Sequence, residues 1–368
     1  MKLSKVALTV GLVLGMASAQ IVKIGVNLPI TGPNAPYGQM GWLGLKLANE
    51  ERPTVLGKKV ELVLVDNKSD KIEAANATQR LIKKDGVFAI IGPISSSNTL
   101  SAAPIAENAE VPLISPWATN PIVTQNRKYI FRACFIDPFQ GKVAAKFARD
   151  ELHAKTAAVM IDIAQDYCVG IANFFIQNFT KMGGKIVSTT YYQTGDQDFT
   201  AQLSSIKAVN PDMVYVPGYF TEDALIMRQA RDLGLKQVFM SGDAAQAEEL
   251  IKIGGDAVNG LYFTTHFDEN GVTTEVGKRF VKEFHKKYKK SPDSVSALSY
   301  DAYNILLDAI ERAGKFDREK VRDEIENTKD FEGVTGVITI ENGNGIKPAV
   351  ILKVENGKFV YVKTVQPE

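Results

Sequence analysis

Short apolar runs, each followed by turn residues and then by a helical period, recur along this chain in two successive blocks. A short apolar, β-branched run between turn signals reads as a buried strand, and spacing of three to four residues reads as an amphipathic helix. Strict alternation of the two leaves little choice of fold, because parallel neighbours need a crossover helix and helices must cover both sheet faces. In the first block the pattern predicts strands at 22–28, 60–65, 88–91 and 113–114, with helices at 38–51, 71–84 and 99–108. The second block predicts a helix at 139–152, then strands at 156–161, 186–192, 213–217, 238–240 and 261–265. Helices at 170–182, 199–209 and 223–233 connect them. Two long helices at 274–288 and 297–313 follow, and then a hairpin-like region at 337–362 with turn signals Asn342-Gly343 and Asn356-Gly357.

The expected architecture is therefore α/β, with two lobes built on parallel central sheets. The length of 368 residues suits about two domains. No low-complexity linker separates the halves, so short crossing segments should join them. In open parallel sheets ligands lie beyond the carboxyl ends of the strands. In the first lobe these ends carry Thr31, Ser95, Ser96, Ser97 and Thr119, and in the second Asp162, Tyr167, Tyr219 and Asp243. Two stretches stand out: Ala89-Ile-Ile-Gly-Pro-Ile-Ser-Ser-Ser-Asn98 and Val111-Pro-Leu-Ile-Ser-Pro-Trp-Ala-Thr-Asn120. Each is an apolar run ending in small hydroxyl residues, and a helix start there would offer free N–H groups to an anion. The same serines also suit plain helix capping, so this pattern leaves both roles open.

The first nineteen residues read as a signal peptide. Lys2 and Lys5 precede a short apolar core at 6–16, and Ala17-Ser18-Ala19 is a small-residue cleavage site, so the mature chain is expected to begin at Gln20. The apolar run is too short for a membrane span. No cysteine follows it, so no lipid anchor is expected, and the protein should be extracytoplasmic, periplasmic or secreted. A formal net charge of +1 gives no reason to expect nucleic acid. The lysine-rich 282–290 stretch, interrupted by Glu283, reads as a solvated helix face. Cys134 and Cys168 are the only cysteines. The sequence leaves a disulfide between them open, and two buried thiols are the simpler expectation.

Signals of catalysis are missing. There is no phosphate loop, no dinucleotide fingerprint after the first strand, and no nucleophile elbow, since Gly92 stands three residues before Ser95. His153, His266 and His285 read as surface or structural residues. The acidic pairs Asp66 with Asp70 and Asp196 with Asp198 suit turns and caps. No catalytic residue, metal site or cofactor is expected.

Taken in order, the motifs resemble the substrate-binding proteins of branched-chain amino acid ABC transporters, in the type I periplasmic binding protein family. The resemblance begins with Ile24-Gly-Val-Asn-Leu-Pro-Ile-Thr-Gly-Pro33 and Tyr37-Gly38, then takes in Ile91-Gly-Pro-Ile-Ser-Ser-Ser97 and Ile114-Ser-Pro-Trp-Ala-Thr119. It continues through Phe131-Arg132, Asp137, Gln140-Gly141, Tyr167 and Gly218-Tyr219, and ends in Arg228-Gln-Ala-Arg-Asp-Leu-Gly234 and Ser299-Tyr-Asp-Ala302.

The resemblance implies two Rossmann-like lobes joined by short hinge crossovers. The N-terminal lobe would comprise 20–138 plus 269–345, and the C-terminal lobe 139–268 plus 346–368. It further implies that Ser96 and Thr119 hold a ligand α-carboxylate, with Ile94, Ser95, the Ala118 backbone and Trp117 facing the ligand. Asp243 would receive the α-ammonium, and Tyr37, Tyr167 and Tyr219 would line the side-chain end. The implied partners are a small amino-acid ligand and a membrane permease, and the protein is expected to be a monomer. The alternative role is a sensory or regulatory receptor of the same fold for an amide, aromatic acid or other small carboxylate. Three positions depart from the family pattern: Trp117 replaces a small residue, Asp243 is a methylene shorter than the Glu of some members, and Cys168 follows Tyr167 where Gly is usual.

Overall fold

A computed structural model describes residues 20–367; the expected signal peptide lies outside the described residues. The first sheet contains β1 (Ile21–Leu28), β2 (Thr54–Val55), β3 (Lys58–Asp66), β4 (Ala89–Ile91), β5 (Leu113–Ser115) and β6 (Ile130–Arg132), in the order β2-β3-β1-β4-β5-β6. All neighbours pair in parallel except the edge pair β2–β3. Around it lie α1 (Ala35–Glu51), α2 (Lys71–Lys83) and α3 (Ser96–Asn108). Local chemistry sets these starts: the Asp70 carboxylate caps α2 by accepting from the N–H groups of Ile72 and Glu73.

The chain then enters the second lobe with α4 (Asp137–Asp150). Its sheet is built from β7 (Thr156–Asp162), β8 (Lys185–Tyr192), β9 (Met213–Tyr215), β10 (Val238–Ser241) and β11 (Tyr262–Thr265). The helices between and after these strands are α5 (Asp166–Lys181), α6 (Thr200–Val209), α7 (Phe220–Asp232) and α8 (Glu248–Gly254). Next, α9 (Glu275–Tyr288), α10 (Ser294–Ala313) and α11 (Arg318–Glu326) return to the first lobe, where α10 packs along α1. A small sheet of β12 (Phe331–Gly333), β13 (Gly336–Glu341) and β14 (Asn344–Ile346) follows, with β14 against β6. Finally β15 (Ala349–Glu355) and β16 (Lys358–Val365) pair antiparallel on the edge of the second sheet, whose order is β16-β15-β11-β10-β9-β7-β8.

The chain thus passes between the lobes three times, at 133–136, at 266–274 and at 347–348. The expected boundary after residue 138 falls inside α4. Several helices start earlier than their periodicity suggested: α5 begins at Asp166, which puts Tyr167 on its first turn, and α7 begins at Phe220. The α8, α11, β2, β6 and β12 elements are absent from the sequence expectation because each is short or strongly polar. Both thiols are free and buried. Among the described residues no helix is long and apolar enough to cross a membrane.

Candidate functional site

The carboxyl ends of β4 and β5 and the start of α3 face the start of α5, the start of α7 and the segment after β10. Between them lies a small cavity of about 10 Å³, room for about one water. Ile94, Ser95, Ser96, Trp117, Tyr167, Tyr219, Asp243 and Ala244 line it. Seven of the ten residues expected at the site are therefore in the lining. A much larger groove lined by Met40, Trp42, Ile251 and Phe359 has, among the described residues, no such convergence of unpartnered buried donors.

On the first-lobe side, Ser95 is the N-cap of α3, yet its side chain makes no capping bond. The Ser96 hydroxyl accepts from the Asn120 N–H at 3.2 Å, which leaves its hydrogen free to donate. Thr119 is buried and its hydroxyl has no partner, although it lies outside the lining. The Trp117 indole N–H is likewise buried and unpartnered, while its ring packs on Tyr37 with centroids 4.8 Å apart. Uncapped helix N–H groups with free hydroxyls beside them make a cradle for a carboxylate.

Ala118 and Tyr37 sit differently from expectation. The Ala118 N–H donates to Ser115 Oγ at 3.1 Å, and its carbonyl accepts from Arg132 at 2.5 Å and from the Cys134 thiol at 3.3 Å. Its backbone groups are thus engaged within the lobe, and Ala118 lies outside the cavity lining. Tyr37 is an interlobe brace: its hydroxyl donates to the Ala244 carbonyl and accepts from the Phe220 N–H. It shapes the cavity from behind through Trp117 and Tyr219. Thr31 and Asp162, also at strand ends, are spent on bonds to neighbouring loops, Thr31 bonding Asp66 and Asp162 bonding Ala164 and Thr194.

On the second-lobe side, Asp243 is 2% exposed and both its oxygens are engaged. Gln140 Nε2 donates to Oδ1 at 2.9 Å and His266 Nε2 meets Oδ2 at 3.1 Å. Burial drives the His266 pKa down to about 4, against the opposing pull of Asp243, so the ring is neutral near pH 7. A bare nitrogen facing a carboxylate oxygen would set two acceptors together, so the proton is assigned to Nε2 and Nδ1 is left without a partner. Of the two places the sequence leaves for His266, surface or structural, the surface is excluded: the residue is fully buried and touches Asp243. The Tyr167 hydroxyl is buried near Asp243 without a well-formed hydrogen bond, and burial holds its pKa well above normal, so it remains an O–H donor. This approach requires Gly242, where a Cβ would stand 2.2 Å from that hydroxyl.

Asp137, beneath the site, has both carboxylate oxygens unpartnered among the described residues. Burial raises its pKa to about 8; the nearby Thr119 hydroxyl opposes this, although no well-formed bond joins the two. Sequence reasoning missed Ala244, Gln140 and His266 as site components. The last two were within reach: Gln140 lies in a motif already noted, and His266 directly follows the strand ending at Thr265. Among the described residues no group of His, Cys, Asp or Glu could hold a metal ion.

A model of the family described as periplasmic binding protein matches residues 21–358. The leucine-, isoleucine-, valine-, threonine- and alanine-binding protein of Pseudomonas aeruginosa is 32% identical over 337 residues, covering 90% of this chain and 88% of that one. The crystal structure of the leucine-binding protein LivK from Thermotoga maritima superposes with a TM-score of 0.93 at 51% identity, covering 94% of this chain and 99% of that one. The branched-chain amino acid transporter substrate-binding protein LivJ of Streptococcus pneumoniae, solved with isoleucine, gives a TM-score of 0.89 at 33% identity over 95% of this chain and all of that one. Fold and sequence agree along nearly the whole described chain, and it belongs to the periplasmic binding proteins.

Proposed function

We propose that this protein is an extracytoplasmic carrier that encloses a small aliphatic amino acid between its lobes and presents it to the permease of an ABC transporter. The observation that carries this reading is the division of the cavity's polar groups. Free hydroxyl and N–H donors with no carboxylate stand on the first lobe, and one buried carboxylate, with the Tyr167 hydroxyl beside it, stands on the second. A zwitterion fits that polarity without a full ion pair at its carboxylate end, and each charge gains charge-assisted hydrogen bonds. In this reading Ser96, Thr119 and the first turn of α3 take the carboxylate. Asp243 takes the ammonium, and Ile94, Trp117, Tyr167 and Tyr219 enclose the side chain. Trp117 narrows the apolar end, which favours leucine, isoleucine or valine over an aromatic side chain. The lobes are taken to divide at the three crossovers, so that closing the hinge brings the two halves of the site together.

The test is to denature the purified protein, identify any released small molecule by mass spectrometry, and then run a thermal-shift panel of amino acids. A true ligand at about a hundred times its Kd should stabilise by about 2.7 kcal/mol. Stabilisation by an aromatic acid or amide and by no amino acid would reject the amino-acid assignment.

A further inference from the structure

The second partner of Asp243 comes from the hinge. His266 is the first residue of the second crossover. Its ring is stacked on Phe135 of the first crossover, with centroids 3.8 Å apart and planes 28° apart. Its backbone carbonyl accepts from Nζ of Lys347, in the third crossover, at 3.0 Å. That ammonium is itself buried, bonds the Pro348 carbonyl at 2.8 Å, and lies 5.4 Å from the Phe135 ring centroid. All three crossovers thus converge on His266, whose ring has the Asp243 carboxylate as its polar contact among the described residues.

We infer that His266 is a positioning residue for ammonium recognition, orienting Asp243 from the hinge while Phe135 and Lys347 fix the ring and its backbone. The inference rests on the reading of Asp243 as the ammonium receptor. Three observations favour a positioning role over simple core packing. The ring is polar and fully buried where an apolar side chain would pack at lower cost. Its Nδ1 goes without a partner, so the place is not chosen to satisfy the histidine itself. And the carboxylate that it meets is the only charged group lining the cavity. With Gln140 on one oxygen and His266 on the other, the carboxylate plane is set and a cation from the cavity meets a fixed acceptor.

A double-mutant cycle read by calorimetry with L-leucine as the probe tests this. His266→Leu should weaken leucine binding about tenfold or more, as expected for losing a hydrogen bond to a charged group. In an Asp243→Asn background the same change should alter Kd by no more than about twofold. His266→Gln, which keeps an N–H donor, should recover most of the loss. Should the leucine variant fold poorly, His266→Asn, too short to reach Asp243, takes its place in the cycle. An equal penalty in both backgrounds, or no rescue by glutamine, would overturn the positioning role while leaving Asp243 as the receptor. A different result marks failure of the underlying reading: wild type that does not bind leucine, or Asp243→Asn that leaves its Kd unchanged, would overturn that reading and this inference with it.

Discussion

At the scale of single residues, the site's energetics centre on one buried carboxylate. Asp243 already has a donor on each oxygen, so a ligand ammonium would complete its shell rather than supply it. Asp243→Ala should cost about 2–5 kcal/mol of leucine binding, the range for breaking a buried charge pair; calorimetric affinity within twofold of wild type would contradict the assignment. His266 adds a pH signature. Its pKa of about 4 lies below the ordinary value of about 6.5, so between them the unfolded chain binds more protons than the folded one. The stability gained by keeping the ring neutral is whole above about pH 6.5 and is lost as pH falls through 4. Of the groups facing the ring, Asp243 pulls its pKa up while Lys347 pushes it down, and Cys134 and Asp301 act on Lys347. Lys347, lowered to about 7, gives the same sign at higher pH, whereas Asp137, raised to about 8, loses stability as pH rises through that value. These opposing slopes blur any total profile, so the useful quantity is a difference. The melting temperature of wild type minus that of His266→Gln should fall between pH 7 and pH 4.5 in scanning calorimetry. A constant gap would mean that the ring does not titrate in this window.

Among the elements, the helix starts explain both what the sequence revealed and what it hid. The N-caps of α3, α5 and α7 are Ser95, Gln165 and Tyr219, and none makes a side-chain capping bond. Their first turns lie at the cleft, unlike α2 and α10, whose N-caps Asp70 and Asp293 accept first-turn N–H bonds. If α3 holds the ligand carboxylate, leucinamide should bind about tenfold or more weaker than leucine in the same titration, since a neutral amide forfeits the charge-assisted bonds. Equal affinity would remove α3 from the site. The serine-tipped strand ends were legible because apolar runs and hydroxyls alternate locally in sequence. Tyr37 as a brace was not, because its partners Ala244 and Phe220 lie about two hundred residues away. His266 was hidden for another reason: periodicity ranks exposure within an element, and His266 belongs to a crossover just past one. The α1–α10 seam is another long-range feature. A Cβ on Gly44 would stand 2.0 Å from the Ser296 carbonyl, so only glycine lets the two helices approach this closely. Gly44→Ala should destabilise by about 1–3 kcal/mol in urea unfolding; an unchanged midpoint would show that the seam can widen freely.

For the whole molecule, the question is what holds the cleft shut. Beyond the Tyr37 brace, Ser97 Oγ donates to the Asp166 carboxylate at 2.8 Å and accepts from the Asp166 N–H at 3.1 Å. The Asn120 side chain donates to the Asp166 carbonyl at 2.8 Å. These bonds tie α3 and the loop after β5 to the first residue of α5 across the lobes, and Ser97 and Asp166 lie outside the cavity lining. A ligand moves the open–closed equilibrium only by its differential affinity for the two states, and every bond confined to the closed state adds to the same balance. Ser97→Ala removes two such bonds without altering the lining. One is charge-assisted, but both sit near the cleft surface, so the pair should be worth about 1–2 kcal/mol. The expected result is leucine binding weakened by about five- to thirtyfold, with the unliganded melting temperature little changed if the unliganded lobes stand open and lack these bonds. Small-angle scattering should still show compaction at saturating leucine, reached only at proportionally higher concentration. An unchanged Kd would mean that the Ser97–Asp166 contacts follow closure without driving it, and that the cavity residues and the Tyr37 brace alone set the balance between the lobes.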